Sequence, residues 1–214
     1  MMVPSEMEQY LHALIPEREP LLMEIERYAK ENEVPIMELI GIEALMQFLR
    51  LIEPTSILEV GSAIGYSALR MAKTIPNVNI VTIERDQERY DRALYYIDRA
   101  NAKDQIEIIL GDALEVSLTQ TFDVIFIDAA KGQYTRFFEK YEKLLNDNGV
   151  IISDNVLFKG FVAMDNSDKH RRTKSLIKKI HDYNTWLMQN PNYNTTILPI
   201  GDGIAISKKK RVTE

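Results

Sequence analysis

The chain has 214 residues, 45% hydrophobic and 27% charged, a balance that suits one globular α/β domain and excludes disordered and fibrous classes. It contains no cysteine, which removes disulfides, thiolate zinc sites, iron–sulfur clusters and cysteine nucleophiles together. The formal net charge of −6 argues against a surface coated for nucleic acid, yet Lys169, Arg171, Arg172, Lys174, Lys178 and Lys179 crowd one segment and Lys208 to Arg211 form a second basic run. No apolar stretch approaches the ~20 residues of a membrane span. The start, MMVPSEMEQYLHALIPERE, lacks the basic-then-apolar order of a secretion signal, so a cytoplasmic protein is expected.

In chain order, residues 6–30 and 36–52 carry helical spacing, with Pro35 expected in the first turn of the second helix. After Pro54 short β-rich runs alternate with amphipathic stretches. ILEV (57–60) precedes 65–74, NIVTI (79–83) precedes 86–101, and QIEIIL occupies 105–110. DVIFI (123–127) precedes 132–146, and GVIIS (149–153) precedes 169–190. Two last strands near 193–199 and 203–208 flank Gly201-Asp202-Gly203, a turn suited to an antiparallel hairpin. The alternation predicts an α/β fold, a parallel sheet with helices on both faces. No repeat or Pro/Gly-rich linker divides the chain. A single domain is expected over 1–214, with an N-terminal helical extension (1–53) and a core at 54–210.

The first core strand runs into LEVGSAIGYSALRMA (58–72), a strand, a glycine turn and a helix N-terminus, which favours anionic ligand groups. Its Gly61-x-x-x-Gly65 spacing is neither the G-x-G-x-x-G of a dinucleotide site nor a phosphate-cradling loop ending in Lys-Ser/Thr, so a nucleoside without a pyrophosphate is the expected ligand. Glu84 ends the second strand, where an acid binds ribose hydroxyls in doubly wound folds or stands solvated at a strand end. Asp112, in Gly111-Asp112-Ala113, accepts from an adenine amino group or caps the next turn. Three such features beyond the same ends of three strands point to one ligand crevice.

Two apolar runs end on oxygen-bearing side chains: VIFI on Asp128, with Lys131 three residues on, and VIIS on Asp154-Asn155. If these strands are neighbours, they lie ~4.8 Å apart and the three side chains can converge. Hard oxygen donors suit Mg²⁺, which keeps open positions for water and substrate. His12, His170 and His181 show no metal-ligand spacing, and G-x-S-x-G and H-E-x-x-H are absent. A non-catalytic nucleoside- or RNA-binding module would leave the oxygen trio without purpose.

The combination EVGSAIGYS, Glu84, Gly-Asp-Ala and Asp-Ala-Ala-Lys resembles the class I S-adenosylmethionine (SAM)-dependent O-methyltransferases, in particular the metal-dependent catechol and caffeoyl-CoA type, over about residues 36–207. The resemblance implies a Rossmann-like seven-stranded sheet with an antiparallel last strand. It implies that Glu59, Gly61, Ser62, Tyr66 and Ser67 line the methionine end of the donor, Glu84 the ribose, and Asp112 and Ala113 the adenine, with Asp128 also beside the donor. It makes Asp128, Asp154 and Asn155 the Mg²⁺ ligands and Lys131 the residue that takes the hydroxyl proton. Within the type, the sequence looks most like bacterial enzymes that convert 5-hydroxyuridine to 5-methoxyuridine at the tRNA wobble position, which implies the anticodon stem-loop as partner and a homodimer as assembly. A small catechol-like acceptor is the competing expectation. Arg171, Arg172 and Lys174 are then candidate phosphate contacts or the wet face of a helix, while Phe158, Phe161 and Tyr134 stack on a base or pack beneath a loop.

Overall fold

A computed structural model describes residues 5–210. Helix α1 (Ser5–Leu14), α2 (Pro20–Glu31) and α3 (Leu39–Ile52) come first. The helical spacing expected over 6–30 is therefore two helices, because the chain breaks at 15–19, where Pro16 removes a donor, and restarts with Pro20 at the first turn. Pro35 does not open α3 either: Glu38 stands at its N-cap position, and Pro35 lies in the preceding loop.

The core then alternates β1 (Ser56–Val60), α4 (Tyr66–Thr74), β2 (Asn79–Glu84), α5 (Gln87–Arg99), β3 (Ile106–Leu110), β4 (Phe122–Ile127), α6 (Tyr134–Tyr141), β5 (Leu145–Ser153), α7 (Arg171–Gln189), β6 (Tyr193–Leu198) and β7 (Ile204–Lys209). The stretch expected as a helix over 132–146 is shorter, since single 3₁₀ turns (131–133, 142–144) flank α6 and β5 begins at Leu145. Lys208 and Lys209 belong to β7 rather than to a solvated tail; Arg211 lies outside the described residues.

The seven strands lie in the order β3-β2-β1-β4-β5-β7-β6, and β7 runs antiparallel to both its neighbours, as expected for a Rossmann-like methyltransferase sheet. The core strands alternate strictly. Ile57, Val124, Phe126 and Ile152 pack beneath α2, α3 and α4, whereas Leu58, Val60, Ile125 and Ile127 pack against Phe137, Phe138 and Tyr141 of α6 and Tyr183 of α7. Both faces are covered, which is why these strands read as unbroken apolar runs. The chain leaves β1 toward β2 on one side and β4 toward β5 on the other, so the topological switch lies between β1 and β4. The fold opens its crevice beyond their carboxyl ends. Among the described residues no helix is long and apolar enough to cross a membrane.

Candidate active site

A cavity of about 270 Å³ opens at that switch point, lined at one end by Glu84, Arg85, Asp112 and Ala113 and at the other by Asp128, Lys131, Asp154 and Asn155. Between them the floor is the turn after β1. Gly61 has φ +98°, and a Cβ there would stand 2.2 Å from the Asp128 carbonyl oxygen, so only glycine lets the β1 and β4 turns meet. Gly65, also left-handed (φ +82°), caps α4 and presses on Ala93 of α5, aiming the helix N-terminus at the cavity. Gly61, Ser62, Tyr66 and Ser67 line this middle section.

Glu59 does not. It is fully buried behind Ser67, and its two oxygens accept from the Ser67 hydroxyl and from the Thr82 hydroxyl (2.5 Å). Burial outweighs these hydrogen bonds and pushes its carboxyl up to about 7. Its contact with a donor would run through Ser67.

Glu84 closes the β2 end. One oxygen accepts from the Ala63 N–H (2.9 Å) and the other from the Arg85 and Asp86 N–H groups (both 2.9 Å), tying the β1 and β2 turns together. The carboxylate keeps lone pairs free to accept from a ligand hydroxyl. Asp112 holds the turn after β3 by accepting from the Leu114 N–H (2.8 Å), and the Ala113 carbonyl accepts from the Tyr141 hydroxyl (2.5 Å). Both residues sit on the cavity rim.

At the opposite end, β4 and β5 pair in parallel with Ile127 beside Ser153, which places Asp128 and Asp154 side by side, one step past the last pair. The Asp128 N–H donates to the Val60 carbonyl and the Asp154 N–H to the Ile127 carbonyl (both 3.0 Å), so both side chains leave from fixed backbone. Asn155 takes φ +56°, a left-handed conformation asparagine tolerates better than most residues. Its amide nitrogen donates to Asp154 (2.9 Å), and its oxygen accepts from the Lys131 ammonium. Desolvation raises both acids: Asp128 is pushed up to about 6, with Lys131 opposing and Asp202 adding to the rise, and Asp154 goes well above the usual carboxylate range, with Asp128 as the next cause. Two facing acids, an amide oxygen and little solvent form a hard donor set of the kind that holds Mg²⁺.

Not every expected side chain comes to the cavity. Tyr134 is buried, edge-on to Tyr183, with its hydroxyl on the Asp154 carbonyl (3.0 Å); it supports the site from beneath instead of stacking on a ligand. Phe158 and Phe161 pack edge to face in the turn after Asn155. Arg171, Arg172 and Lys174 are exposed at the start of α7 and do not line the cavity; Lys174 donates to the Ser167 carbonyl (2.6 Å). Conversely, the cavity includes Met37 from the loop before α3, Arg89 from α5 and Phe137 from α6, none singled out from the sequence. Met37 and Phe137 carry no local signal, because only tertiary packing brings an apolar side chain to a rim. Arg89 sits three positions after the helix-capping Asp86, a position the sequence does offer.

The chain matches the family model for O-methyltransferases over residues 12–210. It is 33% identical to a catechol O-methyltransferase of Niastella koreensis over 76% of this chain and 77% of that one. A Staphylococcus aureus structure, provisionally described as a caffeoyl-CoA O-methyltransferase, superimposes with a TM-score of 0.89 at 37% identity, covering 94% of this chain and 98% of that one. An O-methyltransferase from Bacillus cereus, crystallised in complex with SAH, gives 0.81 at 26% identity, covering 94% and 96%. A glycine-floored crevice at the β1/β4 switch point, with acids at the ends of β2 and β3, therefore has the company its geometry called for: the chain belongs to the O-methyltransferase family and is a SAM-dependent O-methyltransferase.

Proposed function

We propose that the enzyme is Mg²⁺-dependent and methylates 5-hydroxyuridine at the wobble position of the tRNA anticodon, giving 5-methoxyuridine. The observation that carries the metal is the meeting of Asp128, Asp154 and Asn155 past the paired ends of β4 and β5, at the cavity end opposite Glu84 and Asp112. Two desolvated acids held against each other are unfavourable as a bare pair, and a hard divalent cation answers that with charge and with oxygen affinity. When bound, Mg²⁺ lowers the cost of ionising an acceptor hydroxyl and aligns it for attack on the donor methyl group.

The chain's own residues supply the rest. Asp128, Asp154 and the Asn155 amide oxygen would hold the ion. Lys131 lines the cavity beside that amide, and in its neutral amine form it would take the proton leaving the acceptor hydroxyl. The turn at Gly61 to Gly65 would hold the donor against this end, which would spare the reacting atoms a search for alignment. Vicinal oxygens on the acceptor suit such a site, and 5-hydroxyuridine offers O5 beside O4. An anticodon base, already single-stranded, enters a pocket without duplex opening. The cations that open α7 support an RNA substrate further, since positive charge in a first helical turn is disfavoured until an anion offsets it.

The test is nucleoside mass spectrometry of tRNA from a strain lacking the gene, with 5-hydroxyuridine expected to accumulate in place of 5-methoxyuridine. A second reading, methylation of a small vicinal dihydroxy aromatic, is favoured by the 33% identity to the Niastella catechol O-methyltransferase. Unchanged tRNA nucleosides would favour it.

A further inference from the structure

Lys179 lies flat on Gly132. A Cβ built on that glycine would stand 3.3 Å from the lysine Cδ and 3.4 Å from its Nζ. Gly132 is the middle residue of the 131–133 turn, and both its neighbours, Lys131 and Gln133, line the cavity. Lys179 does not itself line the cavity, but the missing side chain lets this cation from α7 settle beside the rim turn, next to the Asp128–Asp154 end and away from Glu84 and Asp112. Arg172, seven residues earlier, is two turns away on the same face of α7, about 10 Å along the axis.

Four neighbouring lysines are otherwise engaged. Lys178 pairs with Asp182 at 2.7 Å, Lys169 with Asp168 at 3.4 Å, Lys174 is spent on the Ser167 carbonyl, and Lys131 on Asn155. Arg171, Arg172 and Lys179 have no ion-pair or hydrogen-bond partner among the described residues, and of the two arginines Arg172 shares a helix face with Lys179. An exposed lysine has many rotamers, and solvation draws its ammonium outward. Folded onto a glycine beside a second lysine, with no acid to meet it, the Lys179 charge is poised for an anion arriving with the acceptor.

We propose that Lys179 is a substrate-binding residue that contacts an anionic group of the acceptor as it emerges over the 131–133 turn, with Arg172 extending the contact along α7. This rests on the RNA reading above, where the anion is a phosphodiester flanking the methylated nucleoside. It also revises which basic residues matter, from Arg171, Arg172 and Lys174 to Arg172 and Lys179. Lys179 leaves the chemical step alone, so its removal should act on KM and not on kcat.

The experiment compares wild type, Lys179→Gln and, as control, Lys208→Gln, whose side chain sits at the amino end of β5 on the far rim of the sheet and donates to the Asn148 carbonyl. With anticodon stem-loop RNA, Lys179→Gln should raise KM several-fold at unchanged kcat. It should also lower the slope of log KM against log salt by ~0.7, the value for one lost single-strand phosphate contact. Lys208→Gln should do neither. The same KM and salt slope in wild type and Lys179→Gln would overturn the proposal. If wild type neither binds nor methylates the RNA, the RNA reading falls, and Lys179 is judged on small acceptors: 3,4-dihydroxybenzoate against uncharged catechol. A wild-type preference for the carboxylated acceptor that disappears in Lys179→Gln supports the anion contact; equal use of both by wild type overturns it.

Discussion

Glu59 shows how a residue can belong to a site without touching a ligand. Its carboxyl is held near 7, against about 4.5 in an unfolded chain, because burial penalises the charged form. The sign follows: a carboxyl raised in the folded state binds more protons there than in the unfolded chain between those pH values, so stability falls as pH rises from about 4.5 to 7 and is level above. The loss is of order 3 kcal/mol. Glu59→Gln, which cannot ionise, should flatten urea-unfolding stability over that window relative to wild type; parallel curves would contradict the burial argument. At the other end of the cavity, Asp154→Ala should lower methyl transfer by at least about 100-fold while SAM binding, measured by calorimetry, stays within a few-fold. Primary loss of SAM binding would overturn the division between donor and metal ends. Gly61→Ala brings a Cβ against the Asp128 carbonyl in a left-handed turn and should cost both donor binding and transfer. These residues were legible because chemistry and position coincide: Asp128, Asp154 and Glu84 each interrupt an apolar run where a strand ends. The family resemblance alone assigns Glu59 to the donor, and sequence does not show that Ser67 of α4 and Thr82 of β2 enclose it.

The elements divide in the same way. Strands and their order of appearance could be read from apolar runs, since sheet burial on both faces leaves little room for polar residues. Helix boundaries in the N-terminal extension could not, because α1 and α2 each carry helical spacing and the break between them lies at Pro16 to Pro20. Nor does sequence show what α2 is for. Glu26 on α2 accepts from Arg18 (2.8 and 3.0 Å) and from the Tyr66 hydroxyl (2.6 Å), and buried Arg70 joins that hydroxyl (3.0 Å) to Glu43 of α3 (2.5 Å). The extension is thereby fastened to the first turn of α4, whose other side faces the cavity. Tyr66→Phe removes the shared hydroxyl from this network and should destabilise by about 1–2 kcal/mol in chemical unfolding. It should also weaken SAM binding, as the α2–α3 loop carrying Met37 loosens from the rim. Unchanged stability would show that the network contributes nothing net.

For the whole molecule, one sheet serves two chemistries. Strands β1 to β3 end in a glycine turn and acids suited to a nucleoside, and β4 and β5 end in a hard oxygen cluster, so in the proposed reaction donor and acceptor would meet where the sheet's connections diverge. Parallel pairing in register positions strand ends more firmly than any loop, which is why the strand-end residues could be expected at the crevice from sequence while the rim, made of loop and helix side chains, could not. Activity should vanish in EDTA and return with added Mg²⁺, whichever acceptor is used. The most direct measurement is anomalous diffraction from crystals grown with Mn²⁺ and SAH. One peak coordinated by Asp128, Asp154 and Asn155 is the predicted result, and it should be missing in Asp154→Ala. SAH bound in the cavity with no metal density among those three side chains would contradict it.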